Sequence, residues 1–287
     1  MSKLVSLLAV LGVLTGVTVN RAHPIGVLSS FQSLRNDPIT TPEAGQIWEE
    51  AISAKGGRQR LHGIRNMLQV SSAEYKTQIF SIPASYLSAN KNRKHMKIAS
   101  LYVFPNKFWD YEDYGSDVFG KIMHMYNYET GMKYILTLGD PDHPLERIEP
   151  KETRDSRTYG LVASLLETNW IKPAPLRASP GKIAGKTVNI VETTVNGQRI
   201  DFAFDSTTHL ATRVSFYSES KGQTYVTTET LSDYIDVDGI MLPQVAIMDD
   251  GTIYKARTQL NVDFDPEIFV RPPRFEQGPI AWRPKAR

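Results

Sequence analysis

The first regular pattern along the chain has a helical period. Between residues 42 and 55, apolar side chains recur three or four positions apart, as they do on one face of an α-helix. Thr41 precedes this stretch as an N-cap, and Pro42 suits the first helical position. Gly56-Gly57 follows it, and glycine readily adopts the positive φ of a helix C-cap. The pattern predicts an amphipathic helix with a short turn at 58–62 behind it.

Beyond residue 63 the period changes to two, which is typical of β-strands. Aromatic and β-branched runs bounded by Pro, Asn and Gly predict strands up to residue 138. Asn196-Gly197 is the signature of a tight hairpin. Strands are predicted at 64–73, 75–82, 97–104, 108–114, 121–128, 132–138, 186–195, 199–205, 212–217, 225–234, 240–248, 252–258 and 260–264. Because short turns join most of them, we expect an antiparallel meander and not βαβ units.

Two features modify this picture. Residues 139–158 are polar and predict a loop, and 159–170 predict a second helix with leucines at helical spacing. The strands at 121–128 and 132–138 are apolar on both faces, so both faces need cover. We therefore predict a mainly β (α+β) fold, a curved antiparallel sheet or half-open β-barrel covered by one or two helices.

The N-terminal residues indicate export. Lys3 precedes an apolar run of residues 4–19, and Ala22 suits the position before a cleavage site, as in a signal peptide. An uncleaved N-terminal anchor is the alternative. The predicted organisation is a signal peptide at 1–22, a linker at 23–41, one β domain at 42–270 and an extended tail at 271–287.

Composition excludes several classes of chemistry. The chain of 287 residues has no cysteine, which excludes disulfides, thiolate nucleophiles and cysteine-ligated zinc. Its 33 Lys and Arg face 31 Asp and Glu, and two of the basic residues, Lys3 and Arg21, lie in the leader. A chain without net charge does not concentrate phosphates around itself, so we expect no nucleic-acid partner.

Catalytic and metal-binding motifs are weak. Phosphate loops, His-Glu-x-x-His and Gly-x-Ser-x-Gly are absent from the sequence. Ser179 and Ser218 each stand three positions before a lysine, the Ser-x-x-Lys spacing of some acyl-transferring serines. Both lie beside turn residues and outside the predicted helices, so we interpret the spacing as a chance match. The cluster of Asp140, Asp142 and His143 has metal-ligand chemistry but also ordinary turn composition. We predict no catalytic residue, no cofactor and no metal site, and we assign no catalytic role to the other histidines.

Large aromatic and methionine side chains are the more informative group, because they line adaptable apolar pockets. The alternative is that they simply fill the core. The candidate lining residues of a hydrophobic cavity are Trp48, Trp109, Tyr111, Phe119, Met123, Met125, Leu165, Leu166, Phe202, Phe204 and Phe216.

Three segments carry a family resemblance: Ile47-Trp48 through Gly57, Val195-Asn196-Gly197 through Asp205, and 231–243 (LSDYIDVDGIMLP). With their order of elements, they resemble the periplasmic lipoprotein-carrier (LolA/LolB-like) superfamily, which includes outer-membrane lipoprotein-sorting proteins. The resemblance implies a half-open barrel whose concave face and covering helices enclose an apolar cavity for acyl chains. The chain departs from that family in its greater length and in lacking the lipidated cysteine of the receptor branch.

The functional prediction is an exported, non-enzymatic protein that binds a lipid, a lipoprotein acyl chain or another hydrophobic ligand. Its expected partners are a hydrophobic small molecule or a lipidated protein, with transient contact to the membrane or to envelope proteins. It would be periplasmic or secreted. The alternatives are an envelope scaffold with a fully packed sheet, and a hydrolase whose catalytic residues lie far apart in sequence.

Overall fold

The computed structural model of the chain describes residues 41–74, 95–113, 121–137, 140–146, 151–220 and 223–274. The predicted signal peptide, almost all of the predicted linker, the strand predicted at 75–82 and Phe119 lie outside these residues, as does the tail beyond residue 274.

The described residues form three α-helices, thirteen β-strands and one 3-10 helix. The helices are α1 Pro42–Lys55, α2 Arg58–His62 and α3 Lys151–Leu165, and the 3-10 helix is Pro266–Phe269. The strands are β1 Asn66–Glu74, β2 His95–Val103, β3 Lys107–Asp113, β4 Lys121–Asn127, β5 Met132–Thr137, β6 Asp140–Glu146, β7 Ala174–Ile183, β8 Lys186–Val195, β9 Gln198–Asp205, β10 Ala211–Ser220, β11 Gln223–Val237, β12 Ile240–Met248 and β13 Ile253–Leu260.

All thirteen strands belong to one curved antiparallel sheet that does not close into a barrel. The order is β6-β5-β4-β3-β2-β1-β13-β12-β11-β10-β9-β8-β7, so β1 pairs with both β2 and β13. The edge strands are β6 and β7, and α3 is the element between them in the chain. Helix α3 therefore carries the chain from one edge of the sheet to the other. The predicted mainly β fold with a covered, open sheet is confirmed.

The sheet has apolar residues on both faces, as the strand pattern required. The face that carries α1 and α3, here called the inner face, contributes to the large core cluster together with those helices. The opposite, outer face carries a second cluster on β1 to β5, which Ile268 and Phe269 of the 3-10 helix cover. In β4, Tyr126 belongs to the first cluster and Met125 to the second.

Helix α1 begins and ends where the sequence predicts. The Thr41 hydroxyl accepts a hydrogen bond from the Ala44 amide at 3.3 Å, and Pro42 opens the first turn. At the other end, Gly56 has a φ of 125° and its amide donates to the carbonyls of Ile52 and Ser53. The buried side chains of α1 all lie on one face, which packs on the sheet.

Four parts of the structure differ from the prediction. The predicted loop at 139–158 contains β6 and the first half of α3, whose residues 151–157 are polar and show no apolar period. Helix α3 ends at Leu165 and not at residue 170, because the backbone turns to positive φ at Leu166. Strand β7 holds two prolines and was not predicted, but an edge strand tolerates residues that donate no ladder hydrogen bond. The strand predicted at 260–264 does not form, because Asn261 has a positive φ directly after the end of β13 at Leu260.

Candidate functional site

The part of the inner face under the helices is apolar. Helix α1 contacts β7, β8 and β12, and α3 contacts β12. The Trp48 ring meets Phe202 edge-on at a centroid distance of 5.4 Å and Phe204 at 5.9 Å, so α1 is seated directly on β9. Such edge-to-face contacts add to the stabilisation that comes from burying the rings.

The structure divides the predicted cavity residues between two places. Six of them belong to the inner cluster: Trp48, Leu165, Leu166, Phe202, Phe204 and Phe216. Trp109, Met123 and Met125 belong to the outer cluster, and Tyr111 packs against it. The reason is strand alternation, because Trp109 and Tyr111 point away from the face that Phe108 occupies. The structure brings the first six together and separates them from the other four.

The inner face of β13 and β1 to β4 carries a row of buried polar side chains, here called the polar row. Register places Thr258, Gln69, Ser100, Asp110 and His124 opposite one another on β13, β1, β2, β3 and β4. None of the five is more than 8% exposed. Buried polar side chains are usually hydrogen-bonded, since leaving one without a partner costs about 1–3 kcal/mol.

The row is only partly satisfied by its own contacts. The Nδ1 atom of His124 lies 2.8 Å from Oδ1 of Asp110, a hydrogen-bond distance. Among the described residues, Asp110 Oδ2, His124 Nε2, Gln69 Oε1 and Ser100 Oγ have no hydrogen-bond partner. These four atoms could accept or donate bonds to a further group on the inner face.

An aromatic row lies beside the polar one. Tyr102, Phe108 and Tyr126 are cross-strand neighbours on β2, β3 and β4. The guanidinium of Arg157, on α3, lies 4.5 Å from the Phe108 ring centre and 4.6 Å from that of Tyr126. It also bonds to the Tyr128 hydroxyl. Helix α3 thus contacts these strands through the Arg157 guanidinium, a cation that lies over aromatic rings.

Two further ionisable groups are buried on the inner side. The Lys55 amine, in the last turn of α1, lies 4.9 Å from the Tyr234 ring centre, and burial lowers its pKa to about 7. Glu229 pairs with Val214 and Met248, both inner-face residues, and is fully buried. Burial, with a smaller contribution from Asp249, raises the pKa of the Glu229 carboxyl and favours its neutral form.

An ionic cluster ties the helices together. Glu167, just after α3, accepts from Arg58 Nε at 2.6 Å and lies 2.8 Å from His62 Nε2. Arg58 also donates to both carboxylate oxygens of Glu49 at 2.8 Å. The cluster therefore joins α1, α2 and the segment that follows α3.

One group of side chains has the composition of a metal site. Asp110, Glu112 and His124 are all buried, and one ligand atom of each lies within 4.8 Å of the others. Sequence reasoning missed this group, because only strand register brings residue 124 beside residue 110. The cluster that the sequence offered instead lies on the edge strand β6, where Asp142 and His143 are exposed.

Catalysis by a serine nucleophile would need a histidine next to the serine. In the polar row, Ser100 lies opposite Asp110, and His124 is on the far side of that aspartate. The described residues of the row therefore do not form a nucleophile–base pair.

Among the helices of the described residues, none is long and apolar enough to span a lipid bilayer.

Comparisons with known proteins locate this architecture among solved structures. No family model matches the chain, and no curated protein matches it. A DUF1329 family protein from Desulfovibrio piger is similar with a TM-score of 0.49 at 12% identity, over 80% of this chain and 98% of the other.

Two further structures show the same level of likeness. One is a domain assigned as an outer membrane lipoprotein-sorting protein from Vibrio parahaemolyticus, with a TM-score of 0.46 at 12% identity, over 79% of this chain and 97% of the other. The second is a LolA superfamily protein from Nitrosomonas europaea, with a TM-score of 0.49 at 12% identity and the same coverage of 79% and 97%. The chain is similar in fold to these two proteins at 12% identity and with TM-scores below 0.5.

Proposed function

We propose that this protein is an exported, non-enzymatic carrier that binds a lipid, a lipoprotein acyl chain or another hydrophobic ligand between the inner face and the helices. One observation carries the proposal: an open sheet presents apolar side chains from most of its strands to two helices laid over it. A layer held by non-directional apolar contacts can open and repack around an acyl chain without leaving hydrogen bonds unmade.

The types of side chain support this proposal. Met67, Met96 and Met248 lie in the inner cluster, which also contains the aromatic residues of this face. Methionine side chains are flexible and polarisable, so they adapt to ligands of varied shape. The proposed ligand contacts are the six residues that the structure brings together: Trp48, Leu165, Leu166, Phe202, Phe204 and Phe216. Entry of a ligand would part Trp48 from Phe202 and Phe204, and so would lift α1 from β9.

The sequence also supports a location and a class of partner. The predicted signal peptide supports a location in the periplasm or outside the cell. A carrier of that kind would receive its ligand from a membrane or a lipidated protein through transient contact. The nearly balanced charge argues against a nucleic-acid partner.

A pair of substitutions on one strand tests the proposal. Ala73 is fully buried on the inner face of β1, whereas Val70 is 49% exposed on the outer face of the same strand. Ala73→Phe adds a ring to the inner cluster, the same cluster that contains the proposed ligand contacts, so we expect uptake of a fluorescent fatty acid to fall at least tenfold. Val70→Phe should leave uptake unchanged. Solvent extraction of the wild-type protein followed by lipid mass spectrometry should recover a bound amphiphile.

Quenching of tryptophan fluorescence locates the ligand. Trp48 lies in the inner cluster and Trp109 in the outer one. In variants that retain one of these two tryptophans alone, a brominated fatty acid should quench the emission of Trp48 and not that of Trp109. Quenching of Trp109 alone would move the binding site to the outer face, and an empty extract without probe uptake would refute the carrier.

The direct packing of Trp48 on Phe202 and Phe204 favours a second candidate, a scaffold whose inner face is filled by its own side chains. A scaffold of this kind would use a free sheet edge, and β6 and β7 are the edges of the described sheet. It predicts no lipid uptake, strong destabilisation by Ala73→Phe, and crosslinks from β6 or β7 to an envelope protein.

A further inference from the structure

The strand register gathers three potential metal ligands on the inner face. Asp110 and Glu112 are two positions apart on β3, so their side chains leave the same face. His124 lies directly opposite Asp110 on β4. Side chains placed in this way are close neighbours in a sheet. One ligand atom of each lies within 4.8 Å of the other two.

The distances are near those of a coordination sphere. Metal–ligand bonds of about 2.0–2.2 Å place adjacent ligand atoms about 2.8–3.6 Å apart. The contact of 2.8 Å between His124 Nδ1 and Asp110 Oδ1 is a hydrogen-bond distance that also falls in that range, so an ion bound to both atoms would displace the proton between them. Since the widest separation in the group is up to 4.8 Å, closure requires a side-chain shift of roughly 1 Å.

Burial provides a second, independent reason to expect a cation beside these three side chains. Asp110, Glu112 and His124 are at most 1% exposed. A carboxylate removed from water needs a compensating charge or a full set of hydrogen bonds. Among the described residues, Asp110 Oδ2 and His124 Nε2 have no hydrogen-bond partner. A cation would compensate the buried Asp110 carboxylate.

We propose that Asp110, Glu112 and His124 bind one divalent transition-metal ion, such as zinc. One imidazole and two carboxylates are a donor set that suits such ions. Ser100 and Gln69 continue the same row beyond Asp110, and their unpartnered oxygens can bond to a water on the ion or orient the ligands. The site does not depend on the proposed carrier function.

Metal titration of the full chain tests this proposal. After removal of metal with a chelator, we expect one equivalent of Zn²⁺ to bind in calorimetry. We expect one equivalent of Co²⁺ to give visible d–d absorption, which zinc should abolish by displacement. His124→Ala and Asp110→Asn should weaken Zn²⁺ binding at least about a hundredfold, since loss of a supporting residue alone costs ten- to a hundredfold.

Two controls separate the site from surface binding and from misfolding. His143 is exposed on β6, so His143→Ala should bind Zn²⁺ as the wild type does. Glu112→Gln keeps the size of the side chain, so a folded protein by circular dichroism with lost Co²⁺ absorption supports the site even if His124→Ala unfolds. Binding below a tenth of an equivalent, or equal binding by the wild type and Glu112→Gln, would overturn the proposal and leave Asp110 and His124 as a buried structural pair.

Discussion

At the residue scale, Lys55 is the position where chemistry and burial conflict most clearly. It lies on the apolar face of α1 and is 2% exposed, with its amine over the Tyr234 ring. Burial lowers the pKa of this amine from 10.5 to about 7. Between these two pH values the unfolded chain binds more protons than the folded one, so stability rises with pH across the interval.

Replacement of this amine should stabilise the protein at neutral pH. Since the pKa falls from 10.5 to about 7 and each pKa unit corresponds to about 1.4 kcal/mol, we expect Lys55→Met to raise the free energy of unfolding by roughly 4 kcal/mol at pH 7. The gain should shrink as the pH rises from 7 and vanish above pH 10.5, where the wild-type amine is neutral in both states. Urea unfolding at several pH values measures this. Lys186→Met, at an exposed lysine, should change neither the stability nor its pH dependence by more than about 0.5 kcal/mol.

At the scale of elements, the end of α1 shows how a helix terminus is fixed by a distant hairpin. Gly56 and Gly57 both have positive φ, at 125° and 88°. A Cβ on Gly56 would lie 2.2 Å from the carbonyl oxygen of Gly239, in the turn between β11 and β12, whereas a Cβ on Gly57 would meet no atom within 4 Å. Local sequence predicts that the helix ends here. The contact with Gly239 determines which of the two glycines has no room for a Cβ atom.

The two glycines should therefore respond differently to alanine. Gly57→Ala introduces strain at positive φ alone and should cost about 1–2 kcal/mol. Gly56→Ala adds a backbone clash and should cost at least about 2 kcal/mol more, because the hairpin must move away from α1. Denaturant midpoints of the two variants measure the difference. Equal destabilisation would mean that the hairpin yields freely and does not hold the helix end.

At the scale of the whole molecule, the sheet has a core on each face, and the C-terminal segment completes the outer one. Phe269 is 2% exposed against β1 to β5, while its neighbour Val270 is 56% exposed. The Asn127 side-chain amide donates to the Phe269 carbonyl at 3.0 Å, which fixes the 3-10 helix on β4.

Removal of the Phe269 ring should open the outer core. We expect Phe269→Ala to lower the free energy of unfolding by about 3–4 kcal/mol and to shift the emission of Trp109 to longer wavelength. Val270→Ala removes an exposed side chain and should change stability by less than about 0.5 kcal/mol. Thermal unfolding followed by tryptophan fluorescence reports both quantities. If the two variants behaved alike, the 3-10 helix would not be part of the core.

The sequence by itself determined the elements whose signals are local: the capped helix α1, the Asn196-Gly197 hairpin and the alternating strands of the second half. It also required cover on both faces of β4, which the two clusters provide. It did not show the polar first half of α3 or the proline-containing β7, because neither carries its element's usual pattern. Those elements form because they connect and complete the edges of a sheet built elsewhere.

Only the tertiary structure decided which side chains meet. The predicted cavity residues looked like one set in the sequence, but strand alternation sends Trp109, Met123 and Met125 to the face opposite Trp48. The polar row from Thr258 to His124 exists because five strands pair in one register, and a slip by one residue would turn each strand's side chains to the other face. Register depends on contacts between segments far apart in the chain, so no local pattern encodes it.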